Sequence, residues 1–161
     1  MSTLYHGSNA RVVMPEIRPL VRALDFGRAF YLTSGLEQAV KWAKTTVLRR
    51  GEGRPTVSVF ELDDSRVRGL DVKRFDKPTV EWLRYVGKNR NQGIDEGEFD
   101  LVIGPVANDN TMPVLNLYFK GAYTEEEALR RLLPQRLRDQ FAFKTDRALG
   151  LLKFVGTEEV E

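Results

Sequence analysis

His6 is the only histidine in a chain of 161 residues, and the chain contains no cysteine. One imidazole cannot build a metal centre, and there is no thiol for it to activate. Disulfides, thiolate catalysis and cysteine-ligated zinc or iron–sulfur sites are excluded. Any chemistry at His6 therefore needs partners from far along the sequence. Two candidates lie among apolar and aromatic neighbours: Tyr31 in "RAFYLT" and Gln140 in "DQFAFKT". An imidazole offers one donor and one acceptor, and Gly7 beside it lets a ligand approach the backbone. The alternative is a strand histidine satisfied by a carbonyl. Tyr31 offers a flat ring on which a planar group could stack, or it is a core aromatic. Gln140 can hydrogen-bond but cannot ionise, so it cannot be a general base. Asp139 should point to the opposite face of the same strand.

These residues need strands to hold them. "STLYHGS" suits an opening strand, and "RAFYLT" a second one, on which Phe30 and Tyr31 must face opposite sides. "GLEQAVKWAKTTVLRR" places Leu36, Ala39, Val40, Ala43 and Val47 on one helical face, with Gly51 and Gly53 ending the helix. "PTVSVFELD" alternates Val57, Val59 and Glu61 against Thr56, Ser58 and Phe60. A helix starts near Pro78–Thr79 with Val80, Leu83 and Val86 inward, and "FDLVIGPV" reads as a buried strand. Thr124 and Glu127 form a capping box for a helix that Pro134 stops or kinks. "DQFAFKT" alternates as a strand, and "DRALGLLKF" forms a short helix or strand. Trp42 and Trp82 lie in amphipathic helices as core residues. Helices and strands do not alternate regularly, which predicts an α+β fold with a largely antiparallel sheet in a single domain spanning residues 1–161.

Composition narrows the function classes only coarsely. Net charge is +2, with 42% apolar and 30% charged residues, ordinary for a globular chain. The sequence shows neither an apolar run of membrane-spanning length nor a secretory signal, which predicts a cytoplasmic protein without membrane contact. Basic clusters such as "VLRRGEGR" and "RRLLPQRLRDQ" suit phosphate or nucleic acid, or simply a solvated face. No Walker or dinucleotide-fold glycine loop is present. The carboxylates of "DEGEFD" read as a solvated loop, so no metal site is expected. Asn108, Asp109 and Asn110 follow a buried strand, where turns and functional loops both occur.

The order His-Gly on a first strand, Tyr on a second and an acidic or amide residue on a late one resembles the ADP-ribosyltransferase-like superfamily. The resemblance is to its histidine–tyrosine branch, which includes diphtheria toxin and the poly(ADP-ribose) polymerases. It is closer still to a family of small bacterial proteins assigned to that fold, carried by "LYHGSN", "DFGRAFYLTSGLEQAVKWA", "FDLVIGPVAND" and "DQFAFKTDRALGLL". The resemblance implies a split antiparallel β-sheet core flanked by helices, with NAD as substrate. His6 would hydrogen-bond the ribose hydroxyls and Gly7 the nicotinamide carboxamide, with Ser8 adjoining. Tyr31 would stack on the nicotinamide, and Phe26 and Gly27 would shape the loop beside it. Arg28 would approach the diphosphate, and Thr33 matches a small hydroxyl residue after the tyrosine strand.

Gln140 departs from the glutamate found there in most active members. Three explanations stay open: an acceptor already nucleophilic, another carboxylate such as Asp109 or Glu98, or NAD binding without transfer. The resemblance therefore implies a mono-ADP-ribosyltransferase, toxin-like or in phage defence. It would modify a nucleic acid or protein and have a neutralising antitoxin partner. The alternative is a catalytically degenerate module that binds NAD, ADP-ribose or a partner. A third reading, NAD-dependent phosphate removal from RNA, needs Arg28, Arg90 and Arg138 together.

Overall fold

The computed structural model describes residues 1–19, 24–91, 99–107, 111–132 and 137–161. Seven strands and six helices follow one another along them: β1 (Ser2–Ser8), β2 (Phe30–Leu32), α1 (Leu36–Arg50), β3 (Thr56–Leu62), α2 (Asp64–Val67), β4 (Val72–Arg74), α3 (Val80–Asn91), β5 (Leu101–Pro105), α4 (Met112–Phe119), α5 (Glu125–Leu132), β6 (Asp139–Phe143), α6 (Asp146–Leu149) and β7 (Leu152–Glu159). They form a three-stranded sheet, β1-β3-β7, and a four-stranded sheet, β2-β6-β5-β4. The class is α+β, as the sequence predicts. The strand pairs are antiparallel apart from β4 with β5, which run parallel because α3 carries the chain back between them.

Alternation along the strands divides the interior in two. Leu4, Phe30, Leu32, Phe60, Leu62, Leu101, Ile103 and Phe143 come from both sheets and make one core. On the opposite face of the four-stranded sheet, Val102 and Ala142 meet Phe26, Phe75, Trp82, Leu83, Val86, Leu115, Ala128 and Leu132 in a second core. Each fully buried Leu or Phe contributes about 1.5–3 kcal/mol. β5 serves both cores, so all five of its residues are buried. Phe30 and Tyr31 do face opposite ways, Phe30 into the first core and Tyr31 against the second.

Local signals hold where they are short-range. Gly51 adopts the left-handed conformation (φ 71°), and its N–H donates to Val47 O at 2.8 Å, ending α1. Thr79 caps α3 through its hydroxyl, which accepts from the Trp82 N–H at 3.2 Å. Thr124 caps α5 by accepting from the Glu127 N–H at 3.1 Å. The capping box is only half made, because the Glu127 carboxylate pairs forward with Arg130 and Arg131.

Other expectations need correction. α1 buries Ala39, Ala43 and Thr46, whereas Leu36 is exposed. Its contact is with β1, and only small residues let the two backbones approach so closely. β4 and α4 carry no periodic signal in the sequence; β4 is three residues long, too short for one. The stretch 146–154 is both α6 and the start of β7. Pro134 lies outside the described residues. No helix among the described residues is long and apolar enough to cross a membrane.

Candidate functional site

Among the described residues, the backbones of the two sheets pair at one place, Tyr5 with Thr33. Tyr5 N–H donates to Thr33 O at 2.8 Å, and Thr33 N–H donates to Tyr5 O at 2.9 Å. A continued antiparallel ladder would next pair Gly7 with Tyr31. Instead, His6 Nδ1 lies 2.7 Å from Tyr31 O and takes the acceptor that the ladder would have used. The imidazole thus works as a wedge: it stacks on Phe30 (ring centroids 4.2 Å apart, planes at 22°) and ends the pairing of β1 with β2. Residues two apart on a strand turn their backbone groups the same way. Like those of Tyr5, the N–H and C=O of Gly7 therefore point to the β2 side, into the seam that the wedge opens.

The tautomer of His6 follows from this contact. A carbonyl only accepts, so Nδ1 carries the proton and Nε2 is the acceptor. No buried side-chain nitrogen or oxygen among the described residues lacks a partner, and the bond of His6 is made at Nδ1; Nε2 is therefore at accessible surface. Burial of the ring lowers the imidazole pKa from 6.5 to about 4; the Tyr31 carbonyl opposes that shift, while the Arg50 and Arg18 charges add to it. At neutral pH the seam holds an uncharged imidazole with a bare nitrogen acceptor.

Tyr31 is anchored through its hydroxyl, which donates to Gly27 O at 2.6 Å and accepts from the Phe26 N–H at 3.1 Å. Burial, together with the nearby Asp25 charge, raises the phenol well above its usual pKa of 10. The loop that it grips is also held by Lys144, whose Nζ donates to Phe26 O at 2.5 Å and to Arg28 O at 3.2 Å. Gly27 makes the turn with φ 78°.

Gln140 shares the sheet face of Tyr31, since Tyr31 pairs with Ala142. It is buried, and its Nε2 donates to Asp25 Oδ2 at 2.9 Å and to Pro105 O at 3.4 Å. Both partners are pure acceptors, which fixes the amide orientation and turns Oε1 away from them. By the same reasoning as for His6 Nε2, Oε1 is at accessible surface. Asp25 is itself buried and satisfied, by the Arg90 guanidinium, the Ala107 N–H at 3.0 Å and Gln140. It is the residue that the sequence did not reveal: an acidic residue before "FG" reads as an ordinary turn former.

The remaining candidates separate. Gly7 is needed for packing, because a Cβ there would lie 2.0 Å from Ala39 O and 2.9 Å from Ala43 N. The Phe26 ring is wholly buried against Phe75 and Tyr85, and the backbone of its loop is engaged by Tyr31 and Lys144, so neither is the ligand surface expected. Ser8 is buried, and its hydroxyl donates to Asn9 Oδ1 at 3.4 Å. The Thr33 hydroxyl accepts from the Gly35 N–H at 3.2 Å and reaches Asp139 Oδ1 at 3.4 Å. Asp139 binds Ser34 through its N–H and hydroxyl, away from Gln140, as strand alternation requires. Arg28, Arg90 and Arg138 engage Ile17 O, Asp25 and Glu37 in turn, three different partners. Asp109, with Asn108 and Asn110, and Glu98 lie outside the described residues. Among the described residues, no group of three or more His, Asp or Glu is arranged to hold a metal.

A family profile matches residues 2–154, and the chain belongs to that family, described as a protein of unknown function (DUF3990). No curated protein and no solved structure matches it.

Proposed function

We propose that this member of the DUF3990 family binds NAD in the seam between β1 and β2 and transfers its ADP-ribose to a nucleophilic acceptor, in an ADP-ribosyltransferase-like split core. One observation carries the reading: His6 Nδ1 takes the Tyr31 carbonyl that a continued ladder would have paired with Gly7, which leaves the Gly7 N–H and C=O on the β2 side without that ladder partner. The Gly7 N–H and C=O match the acceptor and donor of a nicotinamide carboxamide. Tyr31, with its hydroxyl tied back, can offer only its ring to the flat nicotinamide. His6 Nε2 and Gln140 Oε1 are acceptors for ribose hydroxyls.

The chemistry follows from the charges. The bond between the anomeric carbon and the nicotinamide nitrogen breaks with its electron pair going to nicotinamide, which leaves neutral. Positive charge grows on the ribosyl carbon. A neutral imidazole and an amide oxygen do not repel that charge, whereas an imidazolium would. The acceptor's lone pair forms the new bond, and its proton passes to solvent. Gln140 cannot take that proton, and Asp25 is occupied by three partners, which favours an acceptor that is nucleophilic already. A nucleic-acid base or phosphate fits this and the basic clusters better than a protein hydroxyl. A cytoplasmic toxin or phage-defence effector held by a neutralising protein is the biological setting that this chemistry suits.

The second reading, NAD or ADP-ribose binding without transfer, draws on the absence of an ionisable group at position 140. Nicotinamide release from NAD, measured with added RNA, DNA or protein, decides between them. The expected result is release that depends on one pool, reduced at least about 100-fold in His6→Ala and Tyr31→Ala. Circular dichroism verifies that both variants fold. Thermal stabilisation by NAD without release from any pool would establish the binding reading. Neither release nor stabilisation would end both.

A further inference from the structure

We infer that Asp25 is a positioning residue for Gln140, and that it makes glutamine the required residue where a glutamate would otherwise be expected. The inference rests on the NAD reading above. Asp25 Oδ2 holds Gln140 Nε2 at 2.9 Å, while Pro105 O accepts from the same nitrogen at 3.4 Å. An amide has one donating end, so these two acceptors lock it, and Oε1 is left at the small exposed part of the side chain as a fixed acceptor. That oxygen presents to a ribose hydroxyl what one oxygen of a glutamate would.

A carboxylate at position 140 would meet the Asp25 carboxylate across the same short distance. Asp25 cannot turn away, because the Ala107 N–H and the Arg90 guanidinium of α3 bind its oxygens. The Arg90 charge is already matched by Asp25. Among the described residues, the ionisable groups beside this site also include Tyr85 of α3 and Tyr31 of β2; Tyr31 stays protonated because burial and the Asp25 charge raise its pKa. Two like charges in contact cannot both persist in a buried site. A glutamic acid introduced there would therefore keep its proton, donate it to Asp25 Oδ2, and leave its C=O outward in the place of Oε1.

Gln140→Glu tests this by its pH dependence. The introduced carboxyl would have a folded-state pKa above the value of about 4.3 for an unfolded glutamate, so the folded state holds a proton that the unfolded state releases. Relative to wild type, the variant should match near pH 4 and lose stability as pH rises, with its unfolding constant growing up to about tenfold per pH unit until the folded pKa is passed. Gln140→Met is the companion variant. It removes the donor without adding a charge, so its loss should be the same at every pH. A pH-independent difference between Gln140→Glu and wild type would overturn the inference. Wild-type nicotinamide release is measured alongside. Release without the pH slope keeps the NAD reading and removes the Asp25 role. The slope without release keeps the Asp25–Gln140 pairing and removes its place in NAD chemistry.

Discussion

Because His6 is the only histidine, its proton can be followed without ambiguity. The fold lowers its pKa from 6.5 to about 4, chiefly by burial of the ring. Below pH 6.5 the unfolded chain takes up a proton that the folded chain refuses until about pH 4. Stability from this group is therefore complete above pH 6.5 and is lost as the pH falls toward 4. A difference of about 2.5 units at 1.36 kcal/mol each is about 3 kcal/mol. His6→Gln removes the titration but retains an amide that can donate to Tyr31 O. Urea unfolding of both proteins from pH 4 to 7.5 should show wild type losing about 3 kcal/mol relative to the variant. Asp63 and Asp64, whose pKa values lie below the ordinary carboxylate value, are common to both proteins and cancel in the difference. Proton NMR should show the single imidazole titrating well below its usual range. Parallel pH profiles for the two proteins, or an imidazole midpoint near 6.5, would refute the burial argument and the neutral-imidazole chemistry built on it.

Gly7→Ala should cost about 3 kcal/mol, the upper end of overpacking, because the new methyl meets helix backbone and not a side chain that can swing away. For a chain of this size the melting temperature should fall by about 6–12 °C; a drop below about 2 °C would show that α1 yields easily. Thr124→Ala removes the hydroxyl that caps α5 and should cost about 1 kcal/mol, read from chemical denaturation; an unchanged midpoint would mean that the cap contributes nothing.

Much of the local structure was legible from the residues. Alternation marked β1, β3 and β6, threonines marked the starts of α3 and α5, Gly51 marked the end of α1, and the opposed faces of Phe30 and Tyr31 followed from strand geometry. These signals arise between residues close in sequence, where backbone sterics and single hydrogen bonds act directly. His6, Tyr31 and Gln140 were identifiable as polar groups set in apolar strands. The roles of their neighbours were not. The missing side chain of Gly7 suggested room for a ligand, but α1 fills that space and leaves only the backbone edge on the β2 side, which no local signal shared by helix and strand foretells. The Asp25–Gln140 bond joins residues 115 positions apart. It exists because β2, β6 and β5 lie in that order and α3 brings Arg90 against the loop before β2. The absence of cysteine and the single imidazole restricted the available chemistry from the sequence alone. Which partners hold His6, Tyr31 and Gln140, and which way the Gln140 amide points, depended on strand order and on the satisfaction of buried polar atoms. Only the tertiary structure decides those.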